Sequence, residues 1–512
     1  MPATAAQSYA LTHPISLLVG KSREDFTRED LLRVITEKHL EQITFHYTAL
    51  DGKYKELHLP IGDERRAERI LAEGERVDGS SLFNGLVDST VSDLYVVPVY
   101  RSAFLNPFDS RSLDLTCRFL DADGNLAAFA PDNILDRASR LLTRSTRMEL
   151  RAMGELEFFL LDHSSSPLYP APRQRGYHQS APFLKSGPVL EEMAGYLEQL
   201  TGAVKYAHSE VGTLAGIESE VEEVRGQAGE QLEIELLPEP VADAADLLVM
   251  ARWIIRNVAY RHGMLATFTP KVEEDGAGNG LHVHIELRRH GHNLMSDGRG
   301  LSEEARRAIG GLCAYADTLT AFGNTVASSY LRLVPNQEAP TRVFWSDRNR
   351  SAMIRVPLAW SGLQHLAARV NPQQKAPPAA TDGCQTVELR TPDGSALVHL
   401  LLAGITMGVQ WGLTHPESAE LAARLYVPST SMCSLAELPL LPRSCVESAC
   451  RLRARRDLYE RDGVFPAAVV DYVSELLDME DDDGLISRLA ALPADERLRH
   501  IRRIMHKELH RH

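Results

Sequence analysis

Three short segments of this chain place acids or imidazoles at alternate positions, and a fourth pairs an acid with a base. Residues 276–287 read Gly-Ala-Gly-Asn-Gly-Leu-His-Val-His-Ile-Glu-Leu. Side chains alternate faces along a strand, so His282, His284 and Glu286 share one side and Val283, Ile285 and Leu287 the other. Residues 154–159 set Glu155 and Glu157 opposite Leu156 and Phe158. Residues 231–236 set Glu233 and Glu235 opposite Leu232 and Ile234, and residues 387–390 put Glu388 and Arg390 on one side. Any one of these is an ordinary half-wet strand. Four of them curving around one interior form a ring of carboxylates and imidazole, which stays ionised away from water only if cations join it. Several acids, one or two histidines and no thiolate suit Mg²⁺ or Mn²⁺.

The second chemical signal is basic. Arg348, Arg350 and Arg355 fall within eight residues, and Arg332 precedes them in Tyr330-Leu-Arg-Leu-Val-Pro-Asn-Gln-Glu338-Ala-Pro. Guanidinium forks recognise phosphate and carboxylate in bidentate fashion. There is no G-x-x-x-x-G-K-[ST] and no G-x-G-x-x-G, so a nucleotide's phosphates would be held by metals and arginines instead of a glycine cradle. Glu338, between two prolines in a loop, reads as part of a flap, and Asp78 lies in the turn-like Asp-Gly-Ser-Ser.

The elements that must position these groups follow from pattern. Thr27 with Asp30 opens a helix as a capping box. A hairpin turns at Asp51-Gly52, further strands run near 94–99 and 113–120, and residues 13–125 form a small, mostly stranded unit. Helices are expected over 134–145, 189–200, 242–262 and 302–329, and helices dominate from about 396 onward. Residues 395–416 hold no Asp, Glu, Lys or Arg but include His399, Gln410 and three glycines. They read as a buried helix beneath the site, not a membrane span. The fold class is α+β: a small N-terminal β-grasp-like domain over 1–128, then a large catalytic domain over 129–512 with a curved antiparallel sheet flanked by helices. A net charge of −15 argues against a nucleic-acid partner. Six scattered cysteines without Cys-x-x-Cys and no signal-peptide pattern point to a reduced, cytoplasmic setting.

Taken in order, these pieces resemble the glutamine synthetase family from about residue 25 to 478. The resemblance is carried by Val77-Asp78-Gly79-Ser80-Ser81, Gly154-Glu-Leu-Glu157, His208-Ser-Glu210-Val, Gln231-Leu-Glu233 and Ala266-Thr-Phe-Thr-Pro-Lys271. It continues through Gly278-Asn-Gly-Leu-His282-Val-His284, the Arg332–Glu338 segment, Arg348-Asn-Arg350 and Glu388-Leu-Arg390-Thr-Pro. It implies that Glu157, Glu210 and Glu233 hold one Mg²⁺ or Mn²⁺ and that Glu155, His282 and Glu388 hold a second, with two or three ions per site. Arg332, Arg390 and Gly278 would bind glutamate; His284, Arg350 and Arg355 would face the phosphates of ATP. Asp78 of an adjacent subunit would take a proton from ammonium, and Glu338 would close the flap. The implied partners are glutamate, ATP and ammonia or another amine. The implied assembly is a homo-oligomeric ring, a dodecamer with active sites between subunits.

Several positions depart from the family pattern. An insert containing Glu218, Glu220, Glu222 and Glu223 separates Glu210 from Glu233, so Glu223 rivals Glu210 as ligand and Gln227 stands nearer the usual spacing. Ala277 occupies the place of a common asparagine, Thr386 that of an arginine, and Glu286 that of a small or uncharged residue. The chain is therefore read as an ATP-dependent amide ligase, either a glutamine synthetase or a γ-glutamyl ligase for another amine. A catalytically silent relative would be marked by wholesale loss of the ligand set.

Overall fold

Thr27 does cap a helix, Arg28–Lys38, in the computed structural model of the chain, which describes residues 9–163, 168–170, 173–334, 339–359, 366–375, 383–428, 437–507 and 509–510. Its hydroxyl accepts from the Asp30 N–H while the Asp30 carboxylate accepts from the Thr27 N–H, the reciprocal box read from sequence. The helix packs on a sheet made by β1 (Gln42–Thr48), β2 (Tyr54–Pro60), β3 (Glu75–Asp78), β4 (Asp93–Pro98), β5 (Phe104–Leu105) and β6 (Ser112–Leu120). The order is β2-β1-β6-β4-β3, with β5 against β6. The β1–β2 hairpin turns at Gly52, whose φ of +71° favours glycine. β1 lies parallel to β6 and the other pairs are antiparallel, a β-grasp-like mixed sheet over a core that includes Leu31, Ile43, Phe45, Ile70 and Phe119.

The second sheet is larger and curved. It comprises β7 (Glu149–Asp162), β8 (Val204–Leu214), β9 (Ala228–Leu236), β10 (Glu239–Pro240), β11 (Leu265–Thr267), β12 (Leu281–Arg289), β13 (His292–Asn293), β14 (Trp345–Asp347), β15 (Ile354–Val356) and β16 (Val387–Leu389). The order is β14-β15-β16-β12-β7-β9-β8; β10 and β11 pair with β7, and β13 with β12. The alternation does what the sequence implies. Leu156, Phe158, Leu232, Ile234, Val283 and Ile285 are buried in one core with the helices Gly187–Thr201 and Val241–Arg261. The polar side is left on the other face.

The charge-free stretch is the helix Val398–Thr414, packed against Pro131–Thr146 and Glu303–Gly323. Its glycines allow backbones to touch. A Cβ at Gly412 would lie 2.2 Å from the Arg307 carbonyl oxygen, and one at Gly311 would lie 2.0 Å from that of Gly408. Among the described residues no helix is long and apolar enough to cross a membrane.

The helix expected over 302–329 is in fact two, Glu303–Gly323 and Ala327–Arg332. Asn324 breaks it by donating through Nδ2 to the Thr391 carbonyl at 2.8 Å and to Asp393 at 2.7 Å. The break turns the second helix so that Arg332 reaches the polar face of the sheet.

Candidate active site

Strand register gathers the chemistry. Glu155 lies opposite His282 on one side and Glu235 on the other, while Glu157 lies opposite Glu233. His284 pairs with Glu388, and Glu388 with Arg355. The resulting face lines a cavity of about 600 Å³ with Glu155, Glu157, His208, Glu210, Glu233 and His282, ringed by Arg332, Arg350, Arg355 and Arg390.

Two groups of donors emerge. In the first, Glu155 Oε2 lies 2.7 Å from His282 Nδ1 and its Oε1 lies 2.8 Å from His284 Nε2. Glu388, fully buried, receives Arg355 Nη1 at 2.7 Å and also Arg390 Nη1, and lies 3.8 Å from His282. Burial would raise the Glu155 carboxyl, but His284 and His282 hold it well below its ordinary value. Burial is likewise outweighed at Glu388, by His284 and Arg390. In the second group, His208, Glu210 and Glu233 each offer an atom within 4.8 Å of the others. Burial, Glu157 and Glu233 push the Glu210 carboxyl up to about 8. Burial also raises Glu233, against a hydrogen bond from His208 and with help from Glu155 and Glu157.

Such a donor set fits divalent cations. Oxygen ligands dominate, and the second group holds mutually repelling acids that only a counter-cation lets ionise at neutral pH. Cation binding there is expected to release a proton and to tighten as pH rises toward about 8, then level off. Mn²⁺ titrations at several pH values check this, and an affinity independent of pH between 6 and 8 contradicts it.

The glycine loop fits between the two groups. The Gly280 N–H donates to Glu157 Oε2 at 2.7 Å. Gln231 Nε2 donates to the Gly278 carbonyl at 2.9 Å, and Gln231 Oε1 accepts from the Gly212 N–H in β8. A Cβ at Gly278 would stand 2.6 Å from the Pro270 carbonyl oxygen, and one at Gly280 would stand 2.8 Å from Arg332 Nη2. These positions are glycine because neighbouring backbone and guanidinium occupy the space. Arg332 is buried, with Nη1 on the Thr391 carbonyl at 3.0 Å.

The rival ligands separate. β8 carries two extra residues between Ser209 and Thr213 relative to β9, and Glu210 sits in that bulge beside the cavity. The insert lengthens the β8–β9 hairpin past the site, carrying Glu223 to the exposed surface. Gln227 turns its amide to His163 and the Glu223 carbonyl. Asp78 is exposed and lies outside this cavity; the Ser81 and Ser80 hydroxyls hold its carboxyl at about 2. Glu338 lies outside the described residues. Glu286 shares the face of His282 and His284, as expected, but is not on the cavity wall. Arg288 Nε binds it at 2.6 Å and Asn293 Nδ2 at 2.7 Å. Thr386 hydrogen-bonds His284 Nδ1 at 2.9 Å, and Ala277 lines the cavity with its N–H on Gln174 Oε1. Sequence reasoning noted His208 only as a motif residue, yet Tyr177 and His178 rings pack on it and it joins the second donor group.

The C-terminal helix Ala494–His506 braces the loop that forms one cavity wall. Arg502 binds Glu218 of the insert and approaches Glu273, Arg497 binds Glu274, and Arg503 binds Glu220 at 3.0 Å. His506 Nε2 donates to the Val272 carbonyl at 2.9 Å. Arg502→Ala removes two partly exposed ion pairs, together worth about 1 kcal/mol. It is expected to raise the KM for the carboxylic acid roughly fivefold, with kcat little changed and the difference shrinking at high salt. Steady-state kinetics at two ionic strengths checks this; equal KM values refute it.

Residues 128–482 match the family model described as "Glutamine synthetase, catalytic domain". The chain is 28% identical over 464 residues to a glutamine synthetase of Aquifex aeolicus, covering 85% of this chain and 90% of that protein. It is 30% identical over 383 residues to a glutamine synthetase of Pyrococcus horikoshii, covering 74% of this chain and 75% of that protein. A solved structure described as a GmaS/ADP complex superposes with a TM-score of 0.68 at 21% identity, covering 91% of this chain and 98% of that one. With the family model spanning most of the chain and the acid–imidazole ring assembled on the curved sheet, the protein belongs to the glutamine synthetase family and is an ATP-dependent amide ligase.

Proposed function

We propose that the chain makes glutamine from glutamate, ammonia and ATP through γ-glutamyl phosphate. The observation that supports this reading is that Arg332, Arg390 and Gly278 line the same cavity as Glu155, Glu157, Glu210, Glu233 and His282. Glu157, Glu210 and Glu233 hold one divalent ion, and Glu155, His282 and Glu388 the other. Ions held by these residues would supply positive charge to offset the negative charge developing on the transferred phosphoryl group. Arg332 and Arg390 orient the acid substrate. Arg350, Arg355 and His284 face the phosphates. Asp78 of a neighbouring copy accepts the ammonium proton, which makes the chain a ring-forming homo-oligomer, and Glu338 closes over the acyl phosphate to exclude water. In this reading residues 1–128 and 129–512 are the two domains.

A second reading, a γ-glutamyl ligase for a larger amine, is favoured by Ala277. It puts a methyl group on the cavity wall, and the neighbouring amide comes from Gln174. Phosphate release measured with Mg²⁺ and ATP across ammonia, alkylamines and polyamines, each with glutamate and other acids, tests both. Ammonia with glutamate is expected to give the highest kcat/KM. A preference for a bulky amine replaces the first reading with the second.

A further inference from the structure

A second cavity, of about 900 Å³, adjoins the first: Gln174 and Gly276 line both. Two of its walls come from parts of the chain that the family pattern does not supply. One is the insert, with Leu214, Ala215, Gly216 and Glu218; the other is Arg502, beyond residue 482 where the family match ends. Leu160, Phe183, Leu184, Leu214 and Met264 give it apolar surface. Its charged groups are spent on one another or on backbone. Arg502 binds Glu218, and Glu230 accepts from the Lys185 and Ser186 N–H groups. Lys185 Nζ donates to the carbonyls of Tyr169 and Pro182 at 3.0 and 2.6 Å. Burial raises the Glu273 carboxyl, Arg502 and Arg173 oppose it, and Asp162 is engaged as well. Gln174 is the exception. Its Oε1 accepts from the Ala277 N–H at 2.9 Å, which fixes Nε2 as the free end of the amide, and Nε2 is buried with no hydrogen-bond partner among the described residues. A Cβ at Gly276 would lie 3.8 Å from that nitrogen. The residue also sits at a φ of +54°, a strained value for a side chain without a turn glycine's freedom.

We propose that this second cavity is an effector site for a neutral, largely apolar small molecule carrying one hydrogen-bond acceptor, which Gln174 Nε2 meets. The volume and apolar lining suit such a body. A net charge on the ligand would have to break ion pairs that the rim has already made. An acceptor oxygen supplies the partner that the amide nitrogen lacks, and an unpaired buried donor is costly. Because the other end of the same amide holds Ala277 on the wall of the substrate cavity, the ligand locks the glycine loop from behind. Affinity for the carboxylic acid then rises when the effector is bound.

The full-length protein is titrated with Nile red, a neutral planar dye with a carbonyl oxygen, and dye emission is followed. The wild type is expected to bind it saturably, without displacement by Mg²⁺ and ATP. Ala215→Trp puts an indole into the cavity from an exposed position and is expected to weaken binding by on the order of tenfold or more. Gln174→Glu keeps an acceptor for the Ala277 N–H but loses the donor, and is expected to cost about tenfold. With dye bound to the wild type, the KM for the acid is expected to fall on the order of fivefold at unchanged kcat. No saturable binding, displacement by ATP, or equal affinity in Ala215→Trp overturns the site. Should Ala215→Trp fail to fold, Gln174→Glu decides in the same way. Equally tight binding of the anionic dye anilinonaphthalene sulfonate overturns the neutral class, and an unchanged KM overturns the link to the active site. The emission readout is independent of which amine the ligase prefers, so it stands apart from the proposed function.

Discussion

Glu155→Ala is expected to lower amide-forming turnover by on the order of a thousandfold or more while the chain stays folded. The position joins the donor groups, touching His282 and His284 and standing across the ladder from Glu235. An ion that loses such a ligand gives up several kcal/mol of charge stabilisation in phosphoryl transfer, and about 4 kcal/mol is a factor of a thousand in rate. The fold tolerates the loss because what remains beside the gap is two imidazoles, which are stable when neutral. Glu388→Ala is expected to be as damaging to activity but also to stability. It removes the carboxylate that both Arg355 and Arg390 bind inside the protein. Breaking a buried ion pair from one side costs about 3–5 kcal/mol. Phosphate-release assays with circular dichroism on both variants separate the two effects. Near-normal turnover in Glu155→Ala would remove the metal assignment.

The period-two pattern made the site's faces legible. Glu155, Glu157, Glu233, His282 and Glu388 fall on one face of one sheet because alternation is a local property of each strand. What was not legible depends on partners far away in sequence. The bulge that seats Glu210 beside the cavity is set by β9, and nothing local distinguishes Glu210 from Glu223. Glu286 shows the same alternation as His282, yet Arg288 and Asn293 occupy its carboxylate, a matter of hairpin geometry. The helix expected across 302–329 is apolar enough to continue. Its interruption at Asn324 comes from Asp393 and Thr391, some seventy residues on. The bracing of the 272–278 loop by arginines beyond residue 494 had no signal in a helix whose charges suit an exposed face equally well.

The largest stability effect is expected away from the site, at Asp246→Ala, with a cost of about 3–5 kcal/mol. Asp246, on the helix Val241–Arg261, binds Arg118 of β6 at 2.5 Å and His399 at 2.9 Å, so one carboxylate ties the N-terminal sheet, its own helix and the helix Val398–Thr414 together. Burial alone would raise its carboxyl, but Arg118 and His399 hold it well below the usual carboxylate range. Because the folded value is depressed, the stabilisation is present at and above neutral pH. It is lost as pH falls below the ordinary aspartate value toward the folded one. Removing Asp246 leaves the largely buried Arg118 with Asp132, at 3.5 Å, as its ion-pair partner among the described residues. Trp253 reports on this junction. Its ring packs edge-on against His46, Tyr54, Phe104 and Phe108, so its fluorescence responds when the N-terminal sheet separates from the helix. Urea titrations followed by tryptophan emission are expected to show an earlier first transition in Asp246→Ala at pH 7, with the gap from wild type narrowing in acid. The apolar replacement Arg118→Met with Asp246→Leu is expected to recover much of the loss, because it also removes the charge that the single substitution strands. A double variant no more stable than Asp246→Ala would show that the carboxylate acts through some contact other than the ion pair.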